Sequence, residues 1–395
     1  MTFLKNLTTI MRQNVREYGM YIALLIIMAI FSVTTNGLFI SSRNLSNLLN
    51  QTGYIAVLAV GMTLVIVIRH IDLSVGFLAG FLGAVAAIAL VFWHWPVVVV
   101  IPFVLILGAL AGTLTALPVA ELKVPAFVAS LAGWLIYRGA LLLATNRTGT
   151  IIIPNEAYNK IGNGYIPDLP EALRLIPDFH NLTILLGVLG FILFAWNDIN
   201  SRRKKKEYGF DVLPLEIFIL KLVFISVLIM GVTWVLAGYN GLSWTVVIVL
   251  LVVGVYHFIT TQTVLGRHIY AMGGNPEAAE LSGINTKRIT IIVFASMGML
   301  SALSGILFSS RLQSATTTAG TLFELDAIAA AYVGGVSAAG GVGKVMGSLI
   351  GALVMTSLTS GMNLMNTDIS LQYVVRGAVL LIAVIFDVVT RSRRG

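Results

Sequence analysis

Residues 59–85 read AVGMTLVIVIRHIDLSVGFLAGFLGAV. An apolar run stops at Arg69-His70-Ile71-Asp72, and a second run, rich in small residues, starts at Val75. Residues 327–353, AIAAAYVGGVSAAGGVGKVMGSLIGAL, follow the same plan of apolar helix, break and small-residue helix, at low identity. Inside a bilayer every backbone polar group needs a partner, so a break at or near membrane depth persists only where protein buries it or where it lines a cavity. Two such breaks point to a pathway inside a helical bundle.

Composition around the two breaks agrees. Of 395 residues 57% are apolar and 11% charged, where a soluble domain carries about 25% charge. Mean hydropathy is +0.93. So little charge cannot cover a water-facing surface, which makes lipid the solvent for most of the chain. The spans fall at 18–34, 52–69, 74–93, 97–118, 125–145, 182–197, 214–237, 244–262, 289–309, 323–336, 345–361 and 371–388. The sixth and tenth are short, as a broken or half helix packed inside protein would be. The expectation is an all-α integral membrane protein, a polytopic helical bundle of about 10–12 transmembrane helices with broken or short members. A single transmembrane domain covers 1–395, with no cleavable signal at its start. At about 20 residues per span, some 155 residues are left for loops, too few for a separate ATPase or receptor domain.

With the N-terminus inside and sides alternating, Lys5, Arg12, Arg16, Arg69, Lys123, Arg202, Arg203, Lys204, Lys205, Lys206, Arg267, Lys287, Arg288, Lys344, Arg391, Arg393 and Arg394 lie inside. Only Arg43, Arg147, Lys160, Arg174 and Arg311 lie outside. This bias places both termini in the cytoplasm. The net charge of +8 is therefore topological and suggests no nucleic acid. The 201–206 block reads as a stop-transfer cluster. Residues 146–181 form an external loop, an ordered cap if Tyr158, Tyr165 and Leu175 pack; residues 263–288 form a cytoplasmic loop.

Chemistry is sparse. Cysteine is absent and the five histidines show no His-x-x-x-His spacing, so no metal site is expected. No His, Asp or Ser cluster suggests catalysis. In the first break, Asp72 or Ser74 can cap the following helix, and Asp72, Ser74 and Gly76 are candidate gate residues able to meet a polyol. The second break contains Gly334, Gly335, Gly340, Gly341 and Gly343. It fails as a phosphate loop, since Ala338 and Val345 stand where glycine and a hydroxyl residue are required. Its glycines read as a hinge, and Gly347 and Gly351, like Gly76 and Gly80, as small faces for close helix packing. Arg138, Glu324, Asp326, Arg376 and Asp387 lie near span interiors. The two arginines can snorkel to the outer surface, while Glu324 and Asp326 cap the tenth helix or line an outer mouth.

The cytoplasmic loop holds a complete short helix on paper: Asn275, Pro276, Glu277, Ala278, Ala279, Glu280, Leu281, Ser282 and Gly283. Asn275 is the N-cap, Pro276 the first helical residue, Glu277 the dipole partner and Gly283 the stop. A two-turn helix has little core of its own, so a partner is expected to hold it.

At this point the chain resembles a known family, the permease subunits of bacterial monosaccharide ABC importers of the ribose, xylose and galactose type. The resemblance rests on RNLSNLL at 43–49, AVGMTLVI at 59–66, IDLSVG at 71–76, GGN at 273–275, LSGIN at 281–285, ELDAIAA at 324–330 and the glycine-rich 334–343. It runs from about residue 20 to 390, and the extra pair of spans around 182–237 looks like the longer xylose-type or multiple-sugar members. It implies a permease dimer in the bacterial plasma membrane, a cytoplasmic ABC ATPase that binds ATP and magnesium, and an external sugar-binding protein. Glu277-Ala278-Ala279 with Gly283 is similar to the loop by which such permeases dock their ATPase, although the downstream Leu-Pro is missing. No cofactor and no catalysis of its own are implied. The competing expectation is an ion-coupled secondary transporter of a small polar solute, which suits intramembrane carboxylates but gives no reason for the capped helix.

Overall fold

The computed structural model describes residues 15–146, 149–210, 212 and 214–392, without the side chains of 15–18 and 390–392. Lys5, Arg12, Arg147, Arg393 and Arg394 lie outside the described residues, as do the side chains of Arg16 and Arg391. The described chain is helical: α1 (Val15–Thr34), α2 (Ser42–Val67), α3 (Val75–Val91), α4 (Val97–Leu122), α5 (Ala126–Thr145), α6 (Glu156–Asn163), α7 (Asn181–Glu207), α8 (Leu215–Ala237), α9 (Trp244–Gln262), α10 (Val264–Gly274), α11 (Pro276–Leu281), α12 (Thr286–Leu312), α13 (Phe323–Val333), α14 (Val345–Leu364) and α15 (Ile369–Ser392). Among the described residues nine helices are long and apolar enough to cross a membrane, and Gly19–Thr34 and Val75–Val91 are shorter apolar helices. With α13, each of the expected spans contains a helix. The protein is a multi-pass, all-α membrane protein.

The sixth span is not short: α7 runs 27 residues. Its polar tail continues the helix because Arg, Lys and Glu are good helix formers and its last-turn lysines offset the C-terminal dipole. The tenth is short, with α13 at 11 residues.

Contacts divide the chain into two units. The smaller comprises Met1–Val15, Ile40–Asn47 and Tyr165–Ser243. In it α7 and α8 pair as a hairpin joined by a Lys221–Asp198 salt bridge at 2.9 Å. Tyr165 bonds Ser46 at 3.1 Å. Leu175 is 86% exposed and does not pack, contrary to the expectation for the external loop; the hydrogen bonds from its own and Ile176's amide to Asn181 Oδ1 hold the turn without it.

The larger unit comprises Arg16–Phe39, Leu48–Gly164 and Trp244–Gly395. At its centre is α2, buried along 89% of its apolar window. The neighbouring α12 packs against α3 and α4 through Gly305 and Gly298, where an added Cβ would strike the backbone of Ala79 and Gly108. The 149–164 segment is ordered here. Thr150–Ile152 pairs antiparallel with Ser314–Thr316, and Tyr158 is fully buried with its hydroxyl 2.7 Å from that of Ser309.

Two helices begin inside this unit rather than at its end. After α2, residues 69–74 are non-helical. Ser130 donates to Ile71 O at 3.3 Å, and Ser74 lies against Gly133. Gly133 is seven residues into α5, about 10 Å along its axis at 1.5 Å per residue, so the chain threads that far back before α3 starts. After the ribbon, residues 317–322 return likewise, and Gly320 meets the backbone of Gly76 so closely that neither tolerates a Cβ. Here α13 starts, and the N-terminal ends of two helices face each other within protein, as discontinuous membrane helices do.

Candidate functional site

The capped helix forms as its sequence dictates. Asn275 Oδ1 accepts from Ala278 N at 3.1 Å, Pro276 occupies the first turn, and Gly283 adopts φ +84° beyond the end. Asn285 caps α12 in turn, accepting from Arg288 N at 2.9 Å. In α11 only Ala279 is buried. Glu277, Ala278, Glu280, Leu281, Ser282 and Gly283 are exposed, Leu281 at 91%. The helix therefore has almost no core of its own.

Sequence reasoning missed α10, whose three glycines and histidine hide its helical character. Thr263 caps it, accepting from Gly266 N at 3.1 Å, and Ile269 and Met272 bury one face. Its end joins both breaks. Arg69 Nε donates to Gly273 O at 2.7 Å, and Arg69 Nη2 donates to Gly274 O. Gly341 N donates to Val67 O at 2.8 Å. Tyr270 donates to Gly343 O at 2.6 Å, and burial pushes its phenol above the usual range, which keeps it a donor. Gly273 lies against Val67 and Gly341 with no room for a side chain. The end of α2, the glycine loop and α10 are thus one joint, continuous with α11. Arg69 and Gly273-Gly274 were not singled out as site residues, because a basic residue ending an apolar run reads as a topology marker.

Within the glycine loop, Gly335, Gly340 and Gly341 have positive φ, while Gly334 lies against Gly347 of α14. Asp387 of α15 holds the loop, accepting from Ser337 Oγ at 3.2 Å and Ala338 N at 3.0 Å.

The other predicted residues gather where α3 and α13 meet. Asp72 is 2% exposed, and its Oδ1 accepts from Ser74 N at 2.9 Å and Ser74 Oγ at 2.6 Å. Ser74 holds the N-cap position, yet its hydroxyl is spent on Asp72 and not on the helix. Gly76 lies against Glu324, whose Oε1 accepts from Trp134 Nε1 at 3.0 Å, while Oε2 is buried without a partner. Asp326 faces away from this junction and pairs with Arg376 at 3.3 Å. Arg376 therefore does not snorkel; Arg138 lies over the Phe77 ring at 5.0 Å.

A broken-helix bundle with a joint at one end suits a transport protein, and comparison with known families decides which. The family model described as "Branched-chain amino acid transport system / permease component" matches residues 44–384. The chain belongs to this permease family. The xylose transport system permease protein of Escherichia coli strain K12 is 40% identical over 381 residues, 96% of this chain and 93% of that protein. The xylose permease protein of Haemophilus influenzae is 40% identical over 384 residues, covering 96% and 98%. The ribose import permease protein of Escherichia coli strain K12 is 36% identical over 371 residues, covering 94% and 93%. No solved structure matches the chain. In this permease the residues singled out in the sequence form two groups: Gly340 and Gly341 with the loop leading to Asn275–Gly283, and Asp72, Ser74 and Gly76 with Glu324.

Proposed function

We propose that this permease is the membrane subunit of an ATP-driven importer of the ABC type, and that it carries a monosaccharide, a pentose such as xylose, delivered by an external binding protein. The observation that carries the reading is the joint: a capped, exposed helix linked through Gly273-Gly274 and Arg69 to both chain breaks. A solute pathway opened by its own ion gradient has no use for such a link, and a pathway driven by a separate motor needs one. The names of the relatives, xylose and ribose permeases at 36–40% identity over nearly the whole chain, favour a sugar over a branched-chain amino acid.

In this reading both termini face the cytoplasm of a bacterial plasma membrane, and 146–181 faces the binding protein. Asn275–Gly283 docks on the ATPase, which binds ATP and magnesium. The permease performs no catalysis and needs no cofactor or metal of its own; a second copy completes the pathway. ATP binding pulls or pushes α11, and the two states of the permease must differ in their affinity for the ATPase for that to matter. The moving parts are the breaks. Asp72, Ser74, Gly76 and Glu324 set the meeting point of α3 and α13, Asp326 the mouth, and Gly334, Gly335, Gly340 and Gly341 the hinge.

Reconstitution tests this. Proteoliposomes with the permease, its ATPase and its binding protein should take up xylose only with ATP. Uptake by the permease alone under a proton or sodium gradient would make it a secondary transporter instead.

A further inference from the structure

Between α2, α13, α14 and α15 the larger unit holds a recess of about 140 Å³ lined by Gln51, Tyr54, Asp326, Thr359, Asn363 and Arg376 among others. At about 30 Å³ per water that is the room of four or five waters. The recess opens to one side, and its volume matches a single sugar ring.

Its polar groups are only half used. Arg376 Nη1 donates to Asp326 Oδ2 at 3.3 Å, and Arg376 Nε is buried without a partner. Asn363 Oδ1 accepts from Gln372 Nε2 at 2.9 Å, which leaves the Asn363 Nδ2 donors unspent. The Gln51 amide has no hydrogen-bond partner among the described residues. Asn363 is exposed and Gln51 half-buried, so their amides are open to an entering molecule, while the buried Arg376 Nε breaks the rule that buried polar groups are satisfied and asks for a reason. One wall is aromatic: the Tyr54 ring stacks on Phe323 with centroids 4.9 Å apart.

These features select a ligand class. A sugar hydroxyl both donates and accepts, and so matches amides, a guanidinium N–H and a carboxylate oxygen together. The apolar face of a sugar ring matches an aromatic side chain. Asp326 and Arg376 neutralise each other, so the recess has no net charge with which to hold an ion. A second hollow of about 440 Å³, lined mainly by apolar residues including Leu325, Ala329 and Leu380, also borders Asp326 and Arg376. The ion pair is a wall common to both, and opening it would give a bound molecule a way onward.

We propose that this recess is a contact site for one neutral monosaccharide ring in transit, with Gln51, Asn363, Arg376 and Asp326 bonding its hydroxyls beside Tyr54. The proposal rests on the importer reading above. Gln51 is the residue to change, because it holds nothing else in place. Gln51→Ala and Gln51→Leu would be reconstituted with the ATPase and the binding protein, and uptake of xylose, ribose and leucine measured beside ATP hydrolysis. Loss of one neutral hydrogen bond predicts sugar uptake about threefold to tenfold slower, with a changed xylose-to-ribose ratio and ATP hydrolysis near wild type. Asn363→Asp, which keeps the acceptor for Gln372 and removes the donors, should shift the same ratio. Wild-type sugar uptake and selectivity in all three variants would overturn the contact site and leave the importer standing. A wild-type protein that takes up leucine and neither sugar would overturn both.

Discussion

Arg69 is the place to test whether the joint transmits force. Alanine there removes the bonds to Gly273 O and Gly274 O, while the Gly341–Val67 backbone bond at 2.8 Å remains. Hydrogen bonds from a charged donor are worth about 1.5–3 kcal/mol each when buried. Arg69 is an exposed residue, so solvent competes and a total of about 1–2 kcal/mol is the reasonable scale. That is roughly a fivefold to thirtyfold shift in the equilibrium between joined and parted states. The fold should persist, because the α2 core does not involve this side chain. What should fail is the conversion of ATP turnover into movement of the breaks. In proteoliposomes with ATPase and binding protein, Arg69→Ala should import about fivefold fewer sugars per ATP, with hydrolysis within about twofold of wild type. Arg69→Lys should recover part of this, since a point charge cannot reproduce the forked contact with two carbonyls. An unchanged ratio of sugar to ATP in Arg69→Ala would refute the transmission argument.

Five other substitutions, at four positions, separate packing from coupling. Gly347→Ala drives a Cβ into the Gly334 carbonyl, and overpacking of this kind costs about 1–3 kcal/mol; the melting temperature in detergent should fall, whereas Gly274→Ala, with nothing within 4 Å of the added carbon, should leave it unchanged. Asp72→Ala strips the buried Ser74 amide and hydroxyl of their acceptor at a cost of about 1–3 kcal/mol, and Asp72→Asn, which keeps an acceptor oxygen, should melt closer to wild type. Leu281→Ala should leave stability within about 0.5 kcal/mol yet weaken ATPase binding about tenfold or more, the worth of a leucine buried at an interface, as measured by titration in nanodiscs.

Local grammar made α11 readable before any fold was known. An Asn-Pro start and a Gly stop act on neighbours two or three residues away, and the Asn275 and Gly283 geometries are what those residue types require. The shortness of α13 was readable for a similar reason, since Gly334 and Gly335 end a run that begins beside two acids. The starting depth of α3 was not readable. Nothing within 69–76 reports where in the bundle that segment lies; the answer comes from Gly133, Gly320 and Glu324. Arg69 illustrates the same limit. Its partner Gly273 is 204 residues away, and no pattern around either residue announces the other. The sixth span looks short in the sequence because hydropathy falls after Trp196, although helix propensity does not.

The meeting of Gly76 with Gly320 and Glu324 has a consequence for how the chain is made. About 250 residues separate the two sides of that contact. At a synthesis rate of about 5–20 residues per second, roughly 12–50 s pass between their emergence from the ribosome. Throughout that interval the Arg-His-Ile-Asp stretch exists without the helix that will lie against it. Asp72 can occupy itself with Ser74 in the meantime, being only two residues away, and so its charge carries a local bond of its own while the rest of the chain arrives. The final seating of α3 is therefore a late event, and damage near residue 320 would strand a segment made roughly 12–50 s earlier.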